Sequence, residues 1–199
     1  MLKAFVFSLV GFLPLLAAGK CDELDGATPE MELRYLNGDR STVTPDCVSR
    51  AVHAIAFSTP DTLARQGEAI QVIVTYLDYR LPEEKNIYAR AVSSNVAPYP
   101  ATNALNIIGK PAVPAIVDAI GSGTLSDVAR KNAVWTLLLI FSRDGIGEHV
   151  RVLSSASRAE PSREISLRLF VAAELAVTYC GRTNMAKCKE ALYQTVLGH

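Results

Sequence analysis

The chain has 199 residues, 20 basic and 20 acidic side chains, and a hydrophobic fraction of 49%. This balance lacks the clustered positive charge on which nucleic-acid binding depends, so we expect no nucleic-acid partner. The length is enough for one domain with a sizeable core.

Residues 1–19 have the pattern of a cleaved signal peptide. Lys3 supplies the positive start, residues 4–16 form the apolar segment, and small residues at 17–19 suit signal peptidase. The apolar segment is shorter than the about 20 residues that cross a bilayer. We therefore predict a secreted or periplasmic protein with no stable membrane insertion after cleavage. Loss of Lys3 with this segment leaves 19 basic against 20 acidic residues, a formal charge of −1.

Two alternatives to simple cleavage stay open. The segment could be retained as an N-terminal membrane anchor. Cys21 could carry a lipid, although Lys20 is a poor match for the small residue that lipid attachment favours at that position.

The four cysteines are Cys21, Cys47, Cys180 and Cys188. An even number in an exported chain predicts disulfides, for which three pairings are possible. Their positions favour Cys21–Cys47, which would tie an N-terminal arm to the first helix. They also favour Cys180–Cys188, which would join the end of one helix to the first turns of the next. A zinc site is the alternative, but these spacings do not match those of close zinc ligands.

Residues 20–46 are predicted to form a polar N-terminal arm. Within it, residues 32–36 are compatible with a short strand or an ordered coil, and the Asn37-Gly38 pair that follows is a turn signal. Asp46 can serve as the N-cap of a first helix. We place the start of a helical domain at residue 47 and its end at residue 199.

A second helix is predicted from residue 59 to about residue 80, with Ile73, Val74 and Leu77 facing inward. Residues 83–98 are the least regular part of the mature chain. They are either a divergent connection between helices or an exposed loop that carries a binding surface.

The stretch from residue 101 to residue 141 contains three helices. Apolar residues at helical spacing precede Gly109, which can end a helix, and Pro111 suits the first position of the next. Gly121-Ser122-Gly123 breaks the second helix, and either Thr124 or Ser126 can cap the third. The third helix is apolar almost all round from residue 133 onward, as in a helix covered on several sides.

Residues 104–117 of this stretch resemble a HEAT repeat. The likeness lies in an alanine- and leucine-rich first helix, a glycine corner, and the run Ala-Val-Pro-Ala-Ile at 112–116. The resemblance implies an all-α fold, a short right-handed α-solenoid of antiparallel helix pairs. Short helices of this kind are stable only when they stack, which fits such an array.

The C-terminal part continues the pattern. After a turn at 142–147, one helix carries Val150 and Leu153 on its apolar face, and Ser162 can cap the following helix. A turn at 181–184 then leads to a last helix at 185–197. Its predicted apolar side is Cys188, Leu192, Tyr193 and Val196, and its polar face suits a capping repeat.

Few polar residues stand out as candidates for chemistry. His53 is expected at the boundary of the core, and His149 follows an ordinary helix start. Glu174 interrupts an apolar run. A carboxylate at such a position is more often exposed or paired with an arginine than an acid with a functionally shifted pKa. Asn132 can join two repeats or, more often, satisfy a turn carbonyl. Gly121 to Thr124 lack the following lysine of a phosphate-binding loop.

We therefore predict no catalytic, cofactor-binding or metal-binding residue and no cofactor. The leading function is a non-catalytic scaffold that binds another protein. The second, inner helix of each helix pair would present the binding surface; these helices are 111–120, 147–157 and 185–197. This follows from the resemblance to helical-repeat arrays, since fold alone does not establish function. The alternative is a small enzyme or ligand carrier with a pocket between helices.

Overall fold

A computed structural model describes residues 21, 24–58, 66–81 and 99–197. These residues form nine α-helices and no β-strand, which confirms the predicted all-α class for this part of the chain. The helices are α1 Pro29–Leu36, α2 Pro45–Phe57, α3 Gln66–Thr75, α4 Pro100–Ile108, α5 Val113–Ser122, α6 Asp127–Ile140, α7 Glu148–Ala159, α8 Arg163–Tyr179 and α9 Gly181–Leu197. A short 3-10 turn, Lys110–Ala112, precedes α5.

Two predicted features lie outside the described residues: the signal peptide at 1–19 and the irregular segment at 83–98. Among the described helices, none is by itself long and apolar enough to cross a membrane. Pro100–Ile108 and Lys110–Ser122 reach that length and hydropathy only when taken together, across a bend of 113°.

The expected strand or coil at 32–36 is wrong, because these residues belong to α1. Thr28 accepts a hydrogen bond from the Met31 amide at 3.4 Å and caps the helix, and a proline occupies the first turn. Leu33 and Leu36 are spaced for one face of a helix, and both are buried against α2. This segment therefore contributes side chains to the core rather than only a polar arm.

Four helices form a continuous row in which each packs against the next: α2, α4, α6 and α8. Alanines with no exposed surface lie in each of them, and their small side chains let neighbouring helices approach closely. They are Ala51, Ala101, Ala104, Ala133, Ala172 and Ala173. The other helices pack against this row or against one another: α1 contacts α2, α3 contacts α4 and α5, α5 contacts α8, and α7 contacts both α8 and α9.

The predicted corner after α4 is present, but its geometry differs from the expected antiparallel pair. Gly109 ends α4 with a φ of 76°, a value that a residue with a side chain rarely adopts. The chain then changes direction by 113° between α4 and the segment that contains α5. These two helices are thus closer to perpendicular than to antiparallel.

Several helix ends differ from the predictions by a few residues. Thr44, not Asp46, is the N-cap of α2, and α3 ends at Thr75 rather than near residue 80. The helix α5 continues through Gly121 because the Arg168 guanidinium donates to the free carbonyls of Gly121 and Ser122, at 3.2 and 2.8 Å. Local sequence signals for helix ends do not include such a remote partner.

Other helix ends agree with the sequence. Ser126 accepts a hydrogen bond from the Ala129 amide at 3.2 Å, so it is the cap of α6 among the two candidates. Ser162 caps α8 in the same way. The predicted turn at 181–184 is instead the first turn of α9, and Cys180 alone separates α8 from α9.

Two buried polar side chains connect distant parts of the core. Asn132 in α6 donates from Nδ2 to the Leu77 carbonyl at 2.6 Å, in the turn after α3. Tyr76 donates its hydroxyl to the Leu36 carbonyl at 2.8 Å, at the end of α1. The expectation that Asn132 satisfies a turn carbonyl is confirmed, and the same bond links α6 to the turn that follows α3.

We predict that Asn132→Ala lowers the free energy of unfolding by about 1–3 kcal/mol, because it leaves the buried Leu77 carbonyl without this donor. Asn106→Ala is the matched control, since Asn106 is an exposed position in α4, and it should change stability by less than about 0.5 kcal/mol. Urea unfolding of both variants measures the difference. Equal stability of the two variants would contradict a structural role for the Asn132–Leu77 bond.

Glu32 is a buried acid in α1, with only 3% of its surface exposed. Burial raises the pKa of its carboxyl to about 7, and the nearby positive charge of Arg50 opposes that rise. Its Oε2 atom has no hydrogen-bond partner among the described residues. The folded protein therefore holds a proton on Glu32 at pH values where the unfolded chain has already released it.

From this raised pKa we expect stability to fall as pH rises from about 4.5 to about 7, because the unfolded chain binds fewer protons than the folded protein in that range. Glu32→Gln puts a neutral side chain of the same shape at this position, so this variant should lack that pH-dependent loss of stability. It should exceed the wild type in stability at pH 8 by on the order of 1–3 kcal/mol. Guanidinium unfolding at pH 5 and pH 8 tests this. The idea fails if both proteins lose or gain the same stability between those pH values.

Candidate functional site

A half-open cleft of about 380 Å³ lies at the C-terminal ends of α6 and α8. Its apolar lining comes from Leu138 and Leu139 of α6, with Phe141 and Ile146 of the following turn. The start of α7 and the first two turns of α9 complete it. The cleft is thus built where four helices begin or end, and that placement brings polar main-chain ends next to apolar side chains.

The close approach of α7 to α9 depends on Gly147, the N-cap of α7. Its φ is 91°, and a Cβ atom there would lie 3.0 Å from the Cβ of Ala191 and 3.6 Å from the Cα of Cys188. A side chain at this position would have to push α9 away. Glycine here lets the first turn of α7, including His149, lie under α9 and against α8.

His149 is the buried polar group of the cleft, with 2% of its surface exposed. Its Nε2 lies 3.3 Å from the Ala176 carbonyl, which fits an Nε2–H that donates to that oxygen. The same nitrogen is 3.6 Å from Sγ of Cys180. Burial lowers the pKa of the His149 imidazole, while the bond to Ala176 and the charge of Glu148 oppose this.

The Cys180–Cys188 disulfide forms one wall of the cleft. Cys188 has no exposed surface, whereas Cys180 is partly exposed. Cys180 follows the last residue of α8 and immediately precedes α9. Of the two half-cystines that line the cleft, Cys180 is therefore the more accessible residue.

Aromatic side chains close the side of the cleft between α6 and α8. Trp135 and Tyr179 meet edge to face with their ring centres 5.1 Å apart, an arrangement that aromatic rings favour. Burial raises the pKa of the Tyr179 hydroxyl. The Trp135 indole N–H is buried and has no hydrogen-bond partner among the described residues.

Four large apolar side chains are exposed on the last two helices. On α8, Leu167 and Val171 are one turn apart and are 61% and 48% exposed. On α9, Tyr193 and Val196 are also one turn apart and are 59% and 45% exposed. We call these four residues the terminal apolar face. Of the four residues of α9 that were predicted to face inward, Cys188 and Leu192 are buried, whereas Tyr193 and Val196 are exposed; Ala191 is buried as well.

Both disulfide pairings that the sequence favoured are present, Cys21–Cys47 and Cys180–Cys188. The first ties the N-terminal segment to the first turn of α2, and the second joins the end of α8 to the second turn of α9. Two disulfides fit an oxidising, extracellular-type environment. The described residues contain no group of three His, Cys, Asp or Glu side chains placed to hold a metal ion.

The other candidate side chains are not brought together. His53 is half-buried with Nδ1 2.6 Å from the Ser49 carbonyl, at the edge of the core as expected. Glu174 is exposed on α8, and Arg168 pairs with Glu164 instead. The sequence missed the site of His149. Its neighbours Ala176 and Cys180 lie on another helix, and no local spacing indicates that contact.

A second, smaller cavity of about 160 Å³ lies between α2, α3 and α4 and includes Ile55, Gln66 and Ile107. Residues 59–65, which join α2 to α3, lie outside the described residues.

Comparison of the chain with protein-family models, with curated proteins and with solved structures gave no significant match.

Proposed function

We propose that the protein is an exported, non-catalytic scaffold that binds another protein. The observation that carries the proposal is the terminal apolar face, where four large apolar side chains on neighbouring helices are about half exposed or more. Exposed apolar side chains that cluster on one face mark sites of protein interaction more often than isolated ones do.

The proposed architecture is a short right-handed solenoid similar to HEAT repeats, spanning residues 47–199. Its support is the row of contacts from α2 through α4 and α6 to α8, with α3–α5 and α7–α9 contacts on one side. In stacked helix pairs, each unit contacts its neighbours in this manner. On that architecture, Leu167 and Val171 lie on the side of α8 that faces away from its buried residues, where a further helix would pack.

The partner that fits this face is an amphipathic helix of another protein. Its apolar stripe would cover Leu167 and Val171, which are spaced as i and i+4, as helix-in-groove recognition requires. The sequence analysis placed the binding surface on the helices 111–120, 147–157 and 185–197. The proposed face keeps only the last of these, through Tyr193 and Val196, and adds α8. The exposed positions of α7 include Arg151, Ser155 and Arg158, so that helix offers a polar surface.

The proposed location is secreted or periplasmic. The support is the pair of disulfides together with the signal-like pattern of residues 1–19. On this proposal, the mature protein that remains after cleavage of the signal peptide is not stably inserted in a membrane.

The cleft favours a second candidate, a ligand carrier or small enzyme. Its volume of about 380 Å³ falls within the range of about 300–1,000 Å³ for small-molecule sites. Native mass spectrometry of the purified protein separates the two functions. A carrier would retain a small molecule of constant mass, whereas a scaffold would not.

The test of the scaffold is site-specific photo-crosslinking of the mature protein in an extract of exported proteins. A photoreactive residue at Leu167 should capture one protein in near-stoichiometric amount, and one at Ser155 should not. With the photoreactive residue kept at position 167, the double variant Val171→Glu and Tyr193→Glu should weaken capture by at least about tenfold, because each charge would have to enter an apolar interface.

The control variant is Ser155→Glu, which adds the same charge at an exposed position of α7. Both variants should keep the wild-type circular dichroism, since all three positions are exposed. Capture that is equal from positions 167 and 155, or unchanged in the double variant, would remove the terminal apolar face as the binding surface. A captured second copy of this chain would assign the face to self-association.

A further inference from the structure

The Cys180–Cys188 disulfide has surroundings that a purely structural crosslink does not need. It lines the cleft, and its two half-cystines differ in exposure, since Cys188 has no exposed surface and Cys180 is partly exposed. An attacking thiolate must reach a disulfide sulfur directly. Cys180 is therefore the sulfur at which exchange would begin.

Two features stabilise negative charge on the Cys180 sulfur. The Nε2 atom of His149 lies 3.6 Å away, and Cys180 immediately precedes the N-terminus of the 17-residue helix α9. The N-terminal end of a helix carries partial positive charge, and a cysteine at such an end or next to an imidazole N–H has a lower thiol pKa. Both features act on Cys180 once the disulfide opens.

One feature opposes this: Cys180 is the C-cap of α8, and its Sγ lies 3.6 Å from the Ala176 carbonyl oxygen, so the partial negative charge at the end of α8 also acts on this sulfur. Arg143 and Tyr179 are the other titratable side chains among the described residues that line the cleft. Glu148 precedes His149 in the chain but forms an ion pair with Arg151. The charged side chains near the cleft therefore bring no unpaired negative charge to the Cys180 sulfur.

We propose that Cys180–Cys188 is a redox-active pair that accepts two electrons from a dithiol of another exported protein. A thiolate of the dithiol attacks Sγ of Cys180, forms a mixed disulfide, and breaks the Cys180–Cys188 bond. Cys188 leaves as a thiolate and takes up a proton. The second thiolate of the dithiol then attacks the substrate sulfur of the mixed disulfide. This step forms the substrate disulfide and releases Cys180 as a thiolate.

This sequence balances. The dithiol loses two electrons and two protons and becomes a disulfide. The protein disulfide gains the two electrons, one proton goes to Cys188, and the other goes to solvent while Cys180 stays a thiolate. His149 is a positioning residue in this scheme, because its Nε2–H, which donates to the Ala176 carbonyl, also lies 3.6 Å from the departing Cys180 thiolate and can be shared with it. The Cys21–Cys47 disulfide is an internal control, since it joins the N-terminal segment to α2 and does not line the cleft.

The first experiment equilibrates the oxidised, full mature protein with glutathione redox buffers at pH 8. Differential alkylation and mass spectrometry then give the reduced fraction of each disulfide. Cys180–Cys188 should be reduced at glutathione ratios at which Cys21–Cys47 stays oxidised. His149→Gln, which can still donate to the Ala176 carbonyl, should shift the Cys180–Cys188 equilibrium toward the disulfide by about threefold, as a one-unit rise in the pKa of the Cys180 thiol requires.

The second experiment measures the Cys180 thiol directly in the Cys188→Ser variant, from the pH dependence of its alkylation by iodoacetamide. We expect a thiol pKa at least one unit below the ordinary value of about 8.5, and a return toward that value when His149→Gln is added. An unshifted thiol, or two disulfides that reduce together in the wild-type protein, overturns the proposal. If Cys188→Ser does not fold, the wild-type equilibrium decides alone.

Discussion

Mutual burial of short helices is the constraint on which this structure depends. The described helices range from 8 residues in α1 to 17 in α8 and α9, and helices of that size gain little stability alone in water. Each therefore has to bury an apolar face against a neighbour. The row from α2 to α8 meets this need with alanines that have no exposed surface, so the helices can approach closely without large gaps.

The polar parts of the core follow from the same packing. Where the chain ends a helix inside the protein, its free carbonyls need donors. Asn132 supplies one to the turn after α3, Tyr76 supplies one to the end of α1, and Arg168 supplies two to the end of α5. These side chains lie far along the chain from the carbonyls that they satisfy. They join the helices in specific pairs, whereas apolar burial alone would permit many arrangements.

Much of the helical structure could be predicted because it is encoded locally. Apolar spacing located the central and C-terminal helices, and the serine caps of α6 and α8 follow from residues next to the helix starts. The exposure of Glu174 and both disulfide pairings also agree with the sequence. The helix α1 was missed because five residues are too few to separate a period of two from a period of 3.6.

The candidate site was harder to predict, since its parts are distant in sequence. His149 is buried because Gly147 lets α7 lie against α9, and its polar neighbours Ala176 and Cys180 come from α8. The outward position of Tyr193 and Val196 is a tertiary effect as well: α9 packs on α7 and α8 through the side of Cys188 and Leu192, which leaves the adjacent apolar residues exposed. A single helical pattern cannot distinguish these two sides.

The most direct measurement of the packing requirement follows guanidinium unfolding with two probes. Trp135 is the single tryptophan. It belongs to α6 and contacts Tyr179 of α8, so its fluorescence reports on contact within the row of helices. Circular dichroism at 222 nm reports on the helices themselves. If the helices persist only by mutual burial, the two transitions share one midpoint and one slope. Substantial helical signal that remains after Trp135 has become exposed to water would contradict that dependence.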